Sequence, residues 1–253
     1  MKNLSNKCAR LLGFVVVVAL LSACSATRHA DDTAVSDPLE GMNRGTFWFN
    51  EKFDDYVLGP VARGYKDVTP SPIRTGVGNF FKNLRYPVYL VSDLIQFKFT
   101  QAAEHTGRFL VNTTAGVLGF VDVAEDIGLE DHQEDLGIAL AYYGVPAGPY
   151  LVLPFVGPSN VRDTVGFIGA LFLDPLYFVR YTSLHADAKL AIAASTTTIK
   201  VVNMRADLDE GIKSAKESSI DYYLFLQGAY YQYRRGLLYD GAPPDDDVVV
   251  GQE

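Results

Sequence analysis

Apolar positions fall into three patterns along the chain. The first is an unbroken run of ten residues, Leu11 to Leu20 (LLGFVVVVAL). The second is a helical spacing that recurs through residues 38–239. The third is a stretch from Leu136 to Val161 in which 26 residues carry no charged side chain.

Helix signals dominate the body. Asp37-Pro38 supplies an N-cap followed by proline at the first helical position. This predicts a helix over residues 39–53, bearing Phe47, Trp48, Phe49 and Phe53. A short helix is predicted over 57–65. Ser71-Pro72 starts another over 73–84, with Val77, Phe80, Phe81 and Leu84 on helical spacing. Pro87 opens a helix over 88–97, and Thr100 starts the next. Gly116 and Gly119 break the chain before Phe120-Val121-Asp122-Val123-Ala124. Residues 186–206 and 218–238 predict two long helices, the second rich in tyrosine. No stretch alternates well enough to predict a sheet, and the expected fold class is all-α.

The charge-free stretch first suggests a membrane-spanning helix. Prolines 146, 149, 154 and 158, with Gly144, Gly148 and Gly157, argue against one. Proline removes a backbone donor and disrupts a helix interior, and a broken helix in hydrocarbon survives only where protein covers its backbone. Two readings remain open. Short elements lie in or dip into a membrane interface, or the stretch is the buried core of a soluble helical protein.

The N-terminal pattern decides the compartment. Lys2, Lys7 and Arg10 precede the ten-residue apolar run, and Leu21-Ser22-Ala23-Cys24 follows it. An ordinary secretory leader has the same three parts. A cysteine placed at once after Leu-Ser-Ala matches the bacterial lipobox, so residues 1–23 read as a signal peptide and Cys24 as the lipid-carrying N-terminus. An uncleaved membrane helix is the alternative, but about 20 apolar residues are needed to span a bilayer. Ser25, where an aspartate would favour retention at the inner membrane, favours delivery to the outer membrane. Cys8 leaves with the leader, so the mature chain has no free thiol or disulfide and folds on packing alone.

Residues 24–37 are small and polar and read as a flexible tether. Residues 240–253 read as a disordered acidic tail. Residues 38–239 are expected to form one domain. The net charge of −8 becomes more negative once the leader is removed. That makes nucleic acid a poor partner and leaves apolar contact, not a basic patch, as the means of membrane attachment.

Signals for enzymatic chemistry are weak. Gly157-Pro158-Ser159 lacks the second glycine of a nucleophile elbow. Gly76-Val77-Gly78 lacks the third glycine of a dinucleotide fingerprint. Residues 130–135 (EDHQED) offer oxygen ligands without the spacing of a calcium loop, and read better as an acidic turn or helix start. No metal, cofactor or catalytic residue is expected. Arg162-Asp163 is the charged pair between two uncharged stretches. Local pairing, with Asn160 or Ser159 as a cap, is favoured; the alternative has Arg162 facing a polar passage and attracting a lipid phosphate.

Three motifs occur in order: DPLEGMNR from Asp37, VNTTAGVLGFVDVA from Val111, and GPYLVLPFVGPSNVRDTVG from Gly148, preceded by Glu134-Asp135-Leu136-Gly137 and Tyr143-Gly144. Together they closely resemble the MlaA family, also called VacJ lipoproteins. The resemblance covers residues 37–239. Met42 stands where an aromatic residue is expected, and Val145-Pro146-Ala147 replaces a more glycine-rich approach to Gly148. The resemblance implies a ring-like helical body with a central amphipathic channel, embedded in the inner leaflet of the outer membrane. It implies association with trimeric porins and removal of misplaced phospholipid from the outer leaflet to the periplasmic carrier MlaC, and thence to an inner-membrane ABC transporter. Asn43, Trp48, Phe49, Gly119, Phe120, Gly148, Tyr150, Arg162 and Asp163 are the candidate channel or interface residues. The alternatives are a structural or adhesion lipoprotein that packs against porins without moving lipid, and a membrane-bound lipase, for which no nucleophile and base are visible.

Overall fold

A computed structural model describes residues 37–244. The leader, Cys24 and residues 245–253 lie outside the described residues. The elements run α1 (Glu40–Phe53), a π-helical turn (Asp54–Leu58), α2 (Gly59–Val68), α3 (Ser71–Asn83), α4 (Tyr86–Gln96), α5 (Phe99–Thr114) and α6 (Val123–Asp126). Next come α7 (Leu136–Tyr142), strands β1 (Tyr150–Leu153) and β2 (Gly157–Asn160), α8 (Val161–Leu171) and a 3-10 segment (Pro175–Tyr181). The last three are α9 (Ala186–Asp207), α10 (Asp209–Ser218) and α11 (Tyr222–Leu238).

The body is helical, as the pattern predicts, and caps and prolines together mark most of its helix starts. Asp122, Asp135, Asn160 and Asp221 each turn a side-chain oxygen onto backbone N–H groups of the first turn of the helix that follows, which are otherwise unpaired. Pro60, Pro72 and Pro87 sit in first turns, where a missing N–H costs nothing. Phe97, at φ +61, ends α4 in the left-handed region.

Asp37 does not cap α1, which begins at Glu40 without a side-chain cap, because the Asp37 carboxylate binds Asn43 and Gln227 instead. Three elements also depart from the sequence expectation. The helix expected over 57–65 begins at Gly59 and is joined to α1 through the π-helical turn. The helix expected over 218–238 begins at Tyr222, because Asp221 caps Tyr223 N (2.9 Å) and Leu224 N (3.2 Å). The separate α10 precedes it. The charge-free stretch contains a small antiparallel hairpin, with Tyr150 opposite Asn160 and Leu153 opposite Gly157. Pro158 is tolerated there because the ladder is only two strands wide.

The interior is unusually polar. Ala62, Ala102, Ala124, Ala139, Ala141 and Ala206 account for much of the buried apolar set, while Asn43, Asp93, His105, Arg108, Glu134, Arg162 and Arg234 are buried with them. Among the described residues no leucine is buried. Small residues allow helices to approach closely. The clearest crossing is α7 on α8, where a Cβ on Gly166 would meet Gly137 N at 2.3 Å.

Candidate functional site

A cavity of about 640 Å³ opens between the end of α1, the π-helical turn, α2, the hairpin turn and α9. That volume lies within the usual range of small-molecule sites. Its wall is apolar at Phe53, Val57, Val61, Phe155 and Val201, with Asn50, Asp54, Thr197 and Thr198 as the polar members. Such a surface accepts hydrocarbon and offers few partners to a charged group. The π-helical turn that forms part of this wall is held open by Arg205, which grips Asp54 through Nε (2.6 Å) and a terminal nitrogen (3.0 Å).

The hairpin wall is positioned by two asparagines of α1. Asn43 donates to Tyr150 O (2.9 Å) and accepts from Val152 N (3.0 Å). Asn50 donates to Leu153 O (3.0 Å) and accepts from Phe155 N (2.8 Å). A carboxamide carries the donor and acceptor of a peptide unit, so α1 takes the place of a third strand along β1. Phe155, at φ +62, then projects between Phe49 and Phe53, with ring centroids 5.2 and 5.1 Å away.

Tyr150 is buried among Tyr223, Tyr230 and Tyr231, with ring centroids 6.0 to 6.2 Å away. Burial, and then the Asp37 carboxylate, pushes its phenol well above the ordinary value. Asp37 itself binds Asn43 Nδ2 (2.8 Å), Gln227 Nε2 (3.0 Å) and the Tyr223 hydroxyl. The start of the body is thereby tied to its last helix.

Arg162 and Asp163 lie in a buried polar network. Arg162 Nε donates to Asp163 Oδ1 (3.0 Å) and a terminal nitrogen to Val145 O (3.2 Å). Asp163 also receives Asn160 Nδ2 (2.8 Å) and the Tyr230 hydroxyl (2.5 Å), and lies 2.8 Å from Arg234 Nε. Arg234 continues to Asp135, the cap of α7. Burial alone would lift the Asp135 pKa, but the Arg234 guanidinium holds it below the ordinary carboxylate value. Asp163, through Tyr230 and Arg234, thus ties α8 to α11 and, by way of Asp135, to α7, while Arg162 pairs locally with Asp163 and the Val145 carbonyl.

Gly119 (φ +92) closes the turn after α5. A Cβ there would meet the Asn83 side chain at 2.5 Å, and Val117 and Leu118 before it also have positive φ. These two are strained, since bulky residues seldom enter that region. They stand exposed, while Phe120 packs on Phe80 at 5.4 Å. Gly148 (φ +70) turns the chain into β1. Trp48 is 62% exposed on α1.

None of the nine sequence candidates within the described residues lines the cavity. Asn43 and Phe49 shape it through the hairpin, and the other seven lie outside its wall. Asn50, the π-helical turn and the Ala194, Thr197 and Thr198 face of α9 were missed. The signal for α9 was present in Ala193-Ala194-Ser195-Thr196-Thr197-Thr198, a run of small and hydroxyl side chains inside a long helix. Cys24 lies outside the described residues.

The acidic cluster separates into individual roles. Asp131 binds Lys82 (2.7 Å), Asp135 caps α7, and Glu134 is buried between Lys98 (2.7 Å) and Gln96 (2.8 Å). Burial lifts the Glu134 pKa above its ordinary value against the pull of Lys98. Glu104, Glu130 and His132 are the group among the described residues whose donor atoms could hold a metal, all within 4.8 Å. His132 Nε2 already meets Glu104 at 3.0 Å and lies 3.4 Å from Glu130, so hydrogen bonding accounts for the same arrangement.

The outer surface is apolar where the interior is charged. On α8, Arg162, Asp163 and Gly166 face inward, while Val165, Phe167, Ile168 and Leu171 are exposed. Among the described residues no helix is long and apolar enough to cross a membrane. A short helix with its polar face inward can enter one leaflet without spanning two.

Comparison with known proteins points in one direction. The family described as MlaA lipoprotein matches residues 35–236. The intermembrane phospholipid transport system lipoprotein MlaA of Escherichia coli strain K12 is 33% identical over 229 residues, covering 88% of this chain and 86% of the relative. A protein of Rickettsia typhi is 35% identical over 201 residues, covering 79% of this chain and 77% of its own. A solved structure reported as the structural basis for maintenance of bacterial outer membrane lipid asymmetry superposes with a TM-score of 0.69. It is 30% identical, and the match covers 80% of this chain and 99% of that one.

Proposed function

Because the chain belongs to the MlaA lipoprotein family, we propose that it is an outer-membrane lipoprotein that preserves lipid asymmetry by removing misplaced phospholipid from the outer leaflet. The apolar cavity walled by the hairpin and α9 carries this reading. It offers acyl chains a protein surface inside a body whose exterior already suits hydrocarbon. Bound lipid would then leave towards the periplasm, to the soluble carrier MlaC. Trimeric porins would hold the body beside the leaflet. Cys24 directs delivery, and the apolar face of α8 seats the body in the membrane.

Hydrolysis has little support. The Ser159 hydroxyl meets Thr164 Oγ1 (2.9 Å) and the carbonyl of Asn160 (3.3 Å), neither of them a base. Deleting the protein from its host should make phospholipid accumulate in the outer leaflet, scored by outer-leaflet acylation and detergent sensitivity. An unchanged outer leaflet refutes transport. Porin binding without any co-purifying lipid would instead favour a purely structural lipoprotein.

A further inference from the structure

Most acidic side chains around the segment that joins α6 to α7 are matched to a cation. Asp122 receives Arg108 (2.6 Å), Asp131 receives Lys82 (2.7 Å), Glu134 receives Lys98 (2.7 Å) and Asp135 receives Arg234 (3.0 Å). Glu104 on α5 and Glu130 on the segment break this pattern. Among the described residues neither has a lysine or arginine within 4 Å, and both close on one imidazole. His132 Nε2 lies 3.0 Å from Glu104 and 3.4 Å from Glu130, and the three donor atoms all lie within 4.8 Å of one another. That nitrogen has a single hydrogen to offer. Given to the nearer Glu104, it leaves Glu130 unmatched beside a second carboxylate, and like charges so close are unfavourable.

The three side chains are brought together from outside their own group. His105 follows Glu104 on α5 and is fully buried. Its Nδ1 lies 2.5 Å from Asp93 Oδ2, and its Nε2 donates to the carbonyl of His132 (2.8 Å). One buried ring therefore fixes both the turn of α5 that carries Glu104 and the backbone that carries His132. Arg108 binds the Leu129 carbonyl, and Asp131 accepts from the Tyr86 hydroxyl (3.2 Å) as well as from Lys82. Residues 129–135 form neither helix nor strand. In extended backbone alternate side chains share a side. Asp131 thus turns to α3 and α4, and Glu130 and His132 face Glu104 together.

The spacing suits a metal ion. Ligand atoms about 2.0–2.2 Å from a tetrahedral zinc stand about 3.4 Å apart, against 3.0 and 3.4 Å here. The gap between the two carboxylates closes by turning Glu130, whose side chain is 75% exposed. An imidazole nitrogen among the ligands suits zinc, whereas calcium and magnesium take oxygen alone. Three protein ligands leave a fourth position to water. A dication also supplies the charge that a single proton cannot.

We propose that Glu104, Glu130 and His132 form a zinc site that clamps the segment before α7 onto α5. Asp135, three residues after His132, caps α7, so the ion would steady the start of that helix. The assignment does not depend on the phospholipid-transport reading.

The test uses the full-length lipoprotein in detergent micelles, stripped with EDTA and titrated with zinc chloride against a chromophoric chelator. Wild type should bind one zinc per chain. His132→Gln and Glu104→Gln should each weaken binding by about tenfold or more, since even an outer-shell partner is worth about 10–100-fold. Saturating zinc should raise the Tm of wild type and leave that of the double variant unchanged. X-ray absorption at the zinc edge of the wild-type protein should show imidazole scattering among oxygen ligands, a readout that needs no variant to fold. Equal binding by wild type and His132→Gln overturns the site, and so does an absorption spectrum without imidazole. Displacement of zinc by millimolar calcium or magnesium marks a general acidic surface and overturns it as well. Failure of wild type to bind zinc overturns it outright, and none of these outcomes touches the transport reading.

Discussion

Asn43 and Asn50 stand two turns apart on one face of α1, and each uses both ends of its carboxamide to pair with the hairpin backbone, Asn43 with β1 and Asn50 with the end of β1 and the turn at Phe155. Asn43→Ala leaves a buried carbonyl and a buried N–H unpaired. We expect a loss of about 2–4 kcal/mol, from roughly 1–3 kcal/mol for each unsatisfied group. Asn50→Ala, at a more accessible position, should cost less. Denaturant titration of both variants checks the order. A larger effect at Asn50 would show that the hairpin turn, and not its first strand, limits stability.

The crossing of α7 and α8 has no room for a methyl group. Gly166→Ala places a Cβ against the Gly137 backbone. It should destabilise by about 1–3 kcal/mol, as overpacking does. Gly41→Ala, where nothing lies within 4 Å, is the matched control and should be neutral or slightly stabilising. Thermal melts of the pair test this directly.

Acid should weaken the α7–α8–α11 junction. The Asp135 carboxyl lies below its unfolded value, because Arg234 overrides the effect of burial. A lowered folded pKa contributes stability that is present above the unfolded value and lost as pH falls through the folded one. Asp122 is lowered too, with burial outweighed by Asn112 and Arg108. We expect Tm to fall steadily below the ordinary carboxylate range near pH 4. Asp135→Asn should lower Tm at neutral pH and flatten the acid limb. An unchanged acid limb would assign the transition to other carboxylates.

Filling the cavity should stop lipid handling without unfolding the protein. Thr197 and Thr198 belong to a stretch of α9 with little packing, so Thr198→Trp costs little against the core. Lipid co-purifying with the variant should fall several-fold while its circular dichroism is retained. Full retention of lipid would place the passage elsewhere.

On the proposed lipidation of Cys24, replacing that residue removes the lipid but not the exposed apolar face of α8. A single acyl chain gives only marginal attachment, and stable anchoring needs a second signal. Cys24→Ser protein without its leader should therefore still partition into detergent. Elution as a monomer in detergent-free buffer would make the lipid the sole anchor.

The helices were legible where their start signals are local: Pro72 and Pro87 mark first turns, and Asn160 caps α8 within three residues. Asp135 and Asp221 are equally local caps that the apolar pattern alone does not reveal, and the pattern therefore starts the last helix four residues early. The hairpin was not legible, because its partner is no strand. The asparagines that complete it lie about a hundred positions earlier, in a helix whose own pattern gives no hint of them. The site was less visible still. Bulky aromatics such as Trp48 drew attention, yet the cavity wall on α9 is built from alanine and threonine. Arg162 stood out by charge alone, and Tyr230 and Arg234, which bind its neighbour Asp163, come from a helix about seventy residues further on.

The 22-residue α9 is unevenly held. At 1.5 Å per residue it is about 33 Å long, but its buried positions, Val202, Asn203, Arg205 and Ala206, all fall in the last two turns. Ala194, Thr197 and Thr198 precede that clamp, while Val202 belongs to it. Local opening costs least where few contacts are lost. Amide exchange along α9 should therefore be graded, fast at the start and slow at the end. We expect one wall of the cavity to behave as a cantilever, yielding from its free end, so that room for a bulky two-tailed guest comes from helix fraying and not from rearrangement of the whole fold.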